Sequence, residues 1–167
     1  SMNRATSPVP GKIGQGLKFN ATSNQRVDPN SAIISDSSSF TVAAWVNRTT
    51  GGSIVTRGND GFGAGWSVSA SVSSASGKMS MSIVRTSPST VQVGSFVGNT
   101  VLTAGKWYHA VYIWQNGVGL SLYLNGVNDG TLADTGSTLR NSTLGVWIGN
   151  QAQANPNNSF NGSIDDV

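Results

Sequence analysis

The sequence contains no cysteine, no glutamate and only one histidine, His109. Without cysteine there is no disulfide framework, no thiolate nucleophile and no thiolate metal site. One imidazole cannot supply a zinc site that needs two or three. All seven acidic side chains are Asp, so a solvated helix face has no Glu to build on. Charged residues make up only 10% of the chain, and no apolar run is long enough to span a bilayer. The basic excess is three, and it is scattered over Lys12, Lys18, Arg26, Arg48, Arg57, Lys78, Arg85, Lys106 and others. A nucleic-acid surface gathers such charge into a stripe or patch. Neither nucleic-acid binding nor membrane insertion is expected.

Small polar residues fill the space: 25 Ser, 14 Thr, 16 Asn and 21 Gly in 167 residues. That composition also suits disorder, but five Trp, five Phe and three Tyr sit inside alternating segments. Low charge with many hydroxyls and amides fits an extracellular β protein, secreted or on a cell surface. The chain begins Ser1-Met2, so residues 1–10 read as a tag remnant and lead-in. Residues 11–167 then read as one domain, which is long enough to bury a core.

The hydrophobic period is two almost throughout. Trp66 to Ser73 alternates apolar with serine, and Phe40, Val42, Ala44 and Val46 share a face. Met79, Met81 and Ile83 form another such face, as do Leu120, Leu122 and Leu124. From Trp107 to Trp114 both faces are apolar, which predicts a strand covered on both sides. Turn signals separate these segments: Gly51-Gly52, Asn59-Asp60-Gly61, Gly77, Asn116-Gly117, Asn125-Gly126 and Asp129-Gly130. Asn125-Gly126 reads as a type I′ hairpin turn. The expected fold is all-β, two packed antiparallel sheets forming a β-sandwich.

The order of motifs carries a resemblance. Gly14-Gln15-Gly16-Leu17-Lys18-Phe19-Asn20 precedes Phe40-Thr41-Val42-Ala43-Ala44-Trp45-Val46 and Trp107-Tyr108-His109-Ala110-Val111. Leu122-Tyr123-Leu124-Asn125-Gly126, Ile148-Gly149-Asn150 and Phe160-Asn161-Gly162-Ser163-Ile164-Asp165-Asp166-Val167 follow. This resembles the laminin G-like, concanavalin A-like jelly-roll domains of secreted bacterial proteins, related to pentraxins. The resemblance implies core positions for Trp45 and Trp107 and a structural role for His109. It also implies a further strand after Ile164-Asp165-Asp166-Val167, following in the chain or donated in trans. One structural calcium ion is implied as well, with Asp165 and Asp166 as candidate ligands.

Glycosidases on that fold carry a Glu-x-Asp-x-x-Glu strand, and glycoside hydrolysis needs two carboxyl groups flanking the scissile bond. Here Glu is absent, Asp28, Asp36, Asp60, Asp129 and Asp134 stand singly, and adjacent Asp165-Asp166 would point to opposite faces of a strand. The serines are too many and too regularly outward-facing for one to read as a nucleophile. No catalytic residue is expected. Sugar binding uses an exposed aromatic face flanked by hydrogen-bonding groups. Trp66 beside Arg57, Asn59 and Asp60, and Trp114 beside Asn116, are the candidate ligand-binding residues, with core packing the competing role for each tryptophan. The expected function is a non-catalytic, glycan-binding module of a larger secreted or surface protein. The alternative is a structural or adhesive module of a surface assembly or virion that contacts protein and binds no sugar.

Overall fold

The alternating segments become strands because each can bury one face against a second layer. A computed structural model describes residues 8–29, 39–58, 67–87, 90–140, 145–151 and 158–167. Its strands are β1 (Pro8–Pro10), β2 (Gln15–Phe19), β3 (Phe40–Arg57), β4 (Val68–Val72), β5 (Lys78–Ser87) and β6 (Val91–Val101). They continue with β7 (Tyr108–Gln115), β8 (Gly119–Leu124), β9 (Val127–Ala133), β10 (Ser137–Leu139), β11 (Val146–Ile148) and β12 (Asn161–Asp165). A 3-10 turn at Ala21–Ser23 is capped by the Asn20 side chain accepting from the Thr22 N–H. No helix among the described residues is long and apolar enough to cross a membrane.

The first layer runs β1-β2-β12-β3-β7-β8-β9, and the second holds β11, β3, β4 and β5, with β6 and β10 on β5. All these ladders are antiparallel. The two layers are not separate sheets. β3 is 18 residues long; its first half pairs with β7 and β12, its second with β4 and β11. Gly51-Gly52, expected as a turn, instead lies inside β3 where the strand passes between layers, both residues at φ 122. Asp129-Gly130 is not a turn either. It sits in β9 at a bulge, where Leu122 pairs with Gly130 but Tyr123 with Asn128. Asn125-Gly126 does form the expected hairpin, with φ 51 and 82.

The core is the set of inward faces the alternation marks: Val42, Ala44 and Val46 against Val68, Ala70 and Val72, with Met79, Met81, Ile83, Leu120, Leu122 and Ile164. β7 is covered on one side only. Ala110, Tyr112 and Trp114 are buried, while His109, Val111 and Ile113 are half-exposed on the outer face. Trp45, expected in the core, belongs to that outer face, its ring 5.2 Å from His109 and 5.1 Å beneath the Lys12 ammonium. Trp107 is half-exposed too. Residues 8–10, expected as lead-in, enter the sheet by pairing with β2. β12 is paired on both sides, by β2 over Gly162–Ile164 and by β3 over Asn161–Asp165. Beyond it, Thr41–Ala43 of β3 line an apolar hollow of about 340 Å³ with Val55, Val146, Ile148 and Val167.

Tyr112 ties the layers together: its hydroxyl donates to the Ser71 carbonyl across the core at 2.8 Å. Burial pushes its phenol far above the ordinary value of 10, with the Asp129 carboxylate adding to the effect. Above pH 10 the unfolded chain therefore loses this proton while the folded chain keeps it. The unfolded state then binds fewer protons, so this residue makes stability fall with rising pH, by about 1.4 kcal/mol per unit. Tyr112→Phe is expected to cost about 1 kcal/mol at neutral pH through the lost hydrogen bond. In urea titrations the gap to the unsubstituted protein should close above pH 10; a gap that stays constant would contradict this.

Candidate binding site

Period two sends the serines of β4 and β5 to the side opposite the core, and the register lines them up. Ser53 of β3 faces Ser71 of β4, which faces Ser80 of β5. One row further along, Thr56 faces Ser69, which faces Ser82. A register shift between Ser53 and Val55 makes this possible, because it returns Thr56 to the side of Ser53. Strands lie about 4.8 Å apart and same-side residues about 6.7 Å along each strand. The hydroxyls thus form a grid of two rows across three strands.

This grid is concave rather than flat. It floors a cavity of about 270 Å³ lined by Gly52, Ser53, Ser69, Ser71, Val72, Ser73, Ser74, Ser80, Ser82, Gln151 and Asn158. Ser53, Ser69, Ser80 and Ser82 are all at least nine-tenths buried. Ser71 spends its hydroxyl on the Ser80 carbonyl at 3.1 Å, and Asn158 donates from Nδ2 to Gln151 Oε1 at 3.2 Å. Thr56 donates to the Asn150 carbonyl at 2.8 Å, which fixes the turn that brings Gln151 to the rim. Chemically the trough is a set of neutral donors and acceptors suited to a hydroxyl-rich ligand. Alternation alone identified its serine face as outward, but not its curvature.

The residues expected to bind ligand do not gather here. Asn59, Asp60 and Trp66 lie outside the described residues. Arg57 is buried, 2% exposed, and donates to the Arg140 carbonyl at 3.2 Å; it serves the layer interior rather than a surface. Trp114 is fully buried, tilted against Phe40 at 5.9 Å, so it offers no face to a sugar. Asn116 is half-buried at its turn, its N–H donating to the Ser39 hydroxyl. His109 packs on Trp45 as an ordinary strand residue.

Most of the Asp side chains described in detail have partners on the backbone or on arginine. Asp129 accepts from the Thr100 N–H at 3.0 Å, and Asp134 pairs with Arg85 at 3.1 Å. Asp165 Oδ2 accepts from the Ile13 N–H at 2.8 Å, tying β12 to the β1–β2 turn. Its neighbour Asp166 is exposed with φ 48. Calcium takes six to eight oxygens, several of them carboxylate. Of the two candidate ligands, Asp165 has one carboxylate oxygen engaged by backbone and Asp166 stands in solvent. No group of three or more His, Cys, Asp or Glu is brought together among the described residues.

A search of curated proteins gives no match. A family model described as the concanavalin A-like lectin/glucanases superfamily matches residues 20–167. Among solved structures, the chain is similar to domain 4 of the extracellular arabinanase AbnA from Geobacillus stearothermophilus, solved with arabinotriose, at 17% identity and TM-score 0.64. That match covers 95% of this chain and 71% of the other. It is also similar to a protein from Bacteroides ovatus described as carbohydrate-binding, at 18% identity and TM-score 0.64, covering 91% of this chain and 41% of that one. Domains LG4-5 of the mouse laminin α1 chain match at 10% identity and TM-score 0.65, over 98% of this chain and 43% of theirs. At these identities the likeness is one of fold.

Proposed function

The chain belongs to the concanavalin A-like lectin/glucanases superfamily, and on that premise we propose that it is a non-catalytic binding module whose ligand is a glycan. The observation that carries this reading is the serine trough, in which neutral hydroxyl and amide groups converge in a concave site. Glycans present the matching chemistry, hydroxyls that donate and accept at once. The arabinanase domain with arabinotriose and the Bacteroides protein support the ligand class by analogy of fold. Such modules work outside the cell, and this chain spans 41% of one carbohydrate-binding neighbour, so we read it as part of a larger secreted or surface protein. The absence of Glu argues against hydrolysis, which needs a facing pair of carboxyl groups.

A glycan array probed with the 167-residue chain tests this. Binding to at least one glycan is expected, weakened about tenfold by the double substitution Gln151→Ala and Asn158→Ala, since one or two net hydrogen bonds are worth about 1.4 kcal/mol together. A folded chain that binds no glycan would reject the reading. It would favour a protein-contacting module instead, for which the apolar hollow beside Thr41–Ala43 and Val167 is the relevant surface.

A further inference from the structure

We infer that the ligand of the serine trough is an uncharged glycan, held by direct hydroxyl and amide contacts with no bridging calcium ion. This rests on the trough being the glycan site and adds the charge class and the mode of recognition. Among the described residues the lining holds no Lys, Arg, His, Asp or aromatic ring. An anionic sugar entering it would lose water around its carboxylate or sulfate and meet no cation in exchange. A calcium bridge would need carboxylates in the lining, and among the described residues that line it there are none.

A second observation points to a ligand rather than to a merely polar surface. Ser53, Ser69 and Ser80 are 3%, 8% and 7% exposed as residues, and all three line the cavity. Together they form a prepared set of donors and acceptors. Their register fixes its shape: Ser53 and Ser80 flank Ser71 in one row, and Ser69 stands in the next. With no ring among the described lining residues, the ligand is gripped through its hydroxyl edges rather than over its apolar face. Hydrogen bonds between uncharged groups are only weakly screened by salt, unlike charge pairs.

Affinity electrophoresis of the 167-residue chain separates the possibilities, with gels containing arabinan, laminarin or galactan as neutral polymers and alginate or heparin as anionic ones. Each gel is run with calcium and with chelator, and at low and high sodium chloride. Retardation by a neutral polymer is expected, unchanged by chelator and within about twofold between the two salt conditions. Ser69→Val and Ser80→Val should each weaken it about tenfold, since each removes a hydroxyl that pairs with the ligand. Thermal melts check that these variants fold, and Ser53→Ala serves if either does not. Retardation by alginate or heparin alone, or neutral binding lost with chelator, would overturn the charge and calcium inference while leaving a glycan-binding trough if Ser69→Val still abolished it. Neutral binding indifferent to all three serine variants would place the ligand elsewhere and overturn the inference. No retardation by any polymer would overturn it together with the proposed function.

Discussion

Trp114→Ala is expected to lower the free energy of unfolding by about 3–5 kcal/mol, the usual cost of emptying a buried aromatic site. The side chain is fully buried, paired in register with Phe40 on β3 and Leu120 on β8. Its ring lies 5.9 Å from that of Phe40, inclined at 41°. Removing it opens a cavity near the end of three adjacent strands, where neighbours from both layers cannot collapse freely. For a chain of this size the melting temperature should fall by roughly 10 °C. Trp114→Phe should be much milder. The indole Nε1 is buried without a hydrogen-bond partner, so phenylalanine removes an unsatisfied donor as well as some volume. Equilibrium urea unfolding of both variants measures this. A loss below about 1 kcal/mol for Trp114→Ala, with sugar binding reduced, would restore the ring to the surface as a ligand platform.

The two tryptophans Trp45 and Trp114 show what was legible and what was not. The phase of Phe40, Val42, Ala44 and Val46 puts Trp45 on the opposite face, and the structure leaves it there, half-exposed against His109 and Lys12. The alternation was the better guide than the family resemblance, which implied core. For Trp114 the alternation had nothing to say, because β7 is apolar on both faces. Only the pairing with β3 and β8 decides which face turns inward. Hairpins of local sequence, such as Asn125-Gly126, were readable because both residues need positive φ whatever surrounds them. Asp129-Gly130 carried the same kind of signal and meant something else. Its bulge turns the Asp129 carboxylate toward β6, where it accepts from the Thr100 N–H. That contact is 29 residues distant and leaves no trace in a short window.

The serine trough was half-legible. Regular alternation from Trp66 to Ser73 predicts that the serines leave the core, and they do. It does not predict that four of the outward serines, Ser53, Ser69, Ser80 and Ser82, become nine-tenths buried. That requires β3 to bulge between Ser53 and Val55, β5 to bring its own serines into register, and Gln151 and Asn158 to rise at the side. Each of these is a long-range fact. A short window of sequence shows aromatic residues far more plainly than a polar concavity, and stacked rings are a common means of recognising sugars.

Gly52→Ala is expected to cost about 3 kcal/mol or more and to remove the trough along with it. At φ 122 the residue occupies backbone space that L side chains rarely enter, at a strain of roughly 1–3 kcal/mol. A Cβ there would also run into the Ser159 carbonyl oxygen and meet its carbon at 2.5 Å. Both are backbone atoms, so no side chain can swing aside, and overpacking adds about 1–3 kcal/mol. The close approach has a purpose in the fold. It lets Ser159 bridge to Ser53 in parallel beside the strand, which sets Asn158 against Gln151 at the rim of the cavity. The same glycine thus carries β3 from one layer to the other and holds the side wall of the site. Gly105→Ala is the control: it too has positive φ, 78, but nothing stands within 4 Å of its Cβ position. It should cost only the strain of the backbone and leave glycan binding intact. If the two variants proved equally stable and bound equally well, the approach of Ser159 would not be what shapes the trough.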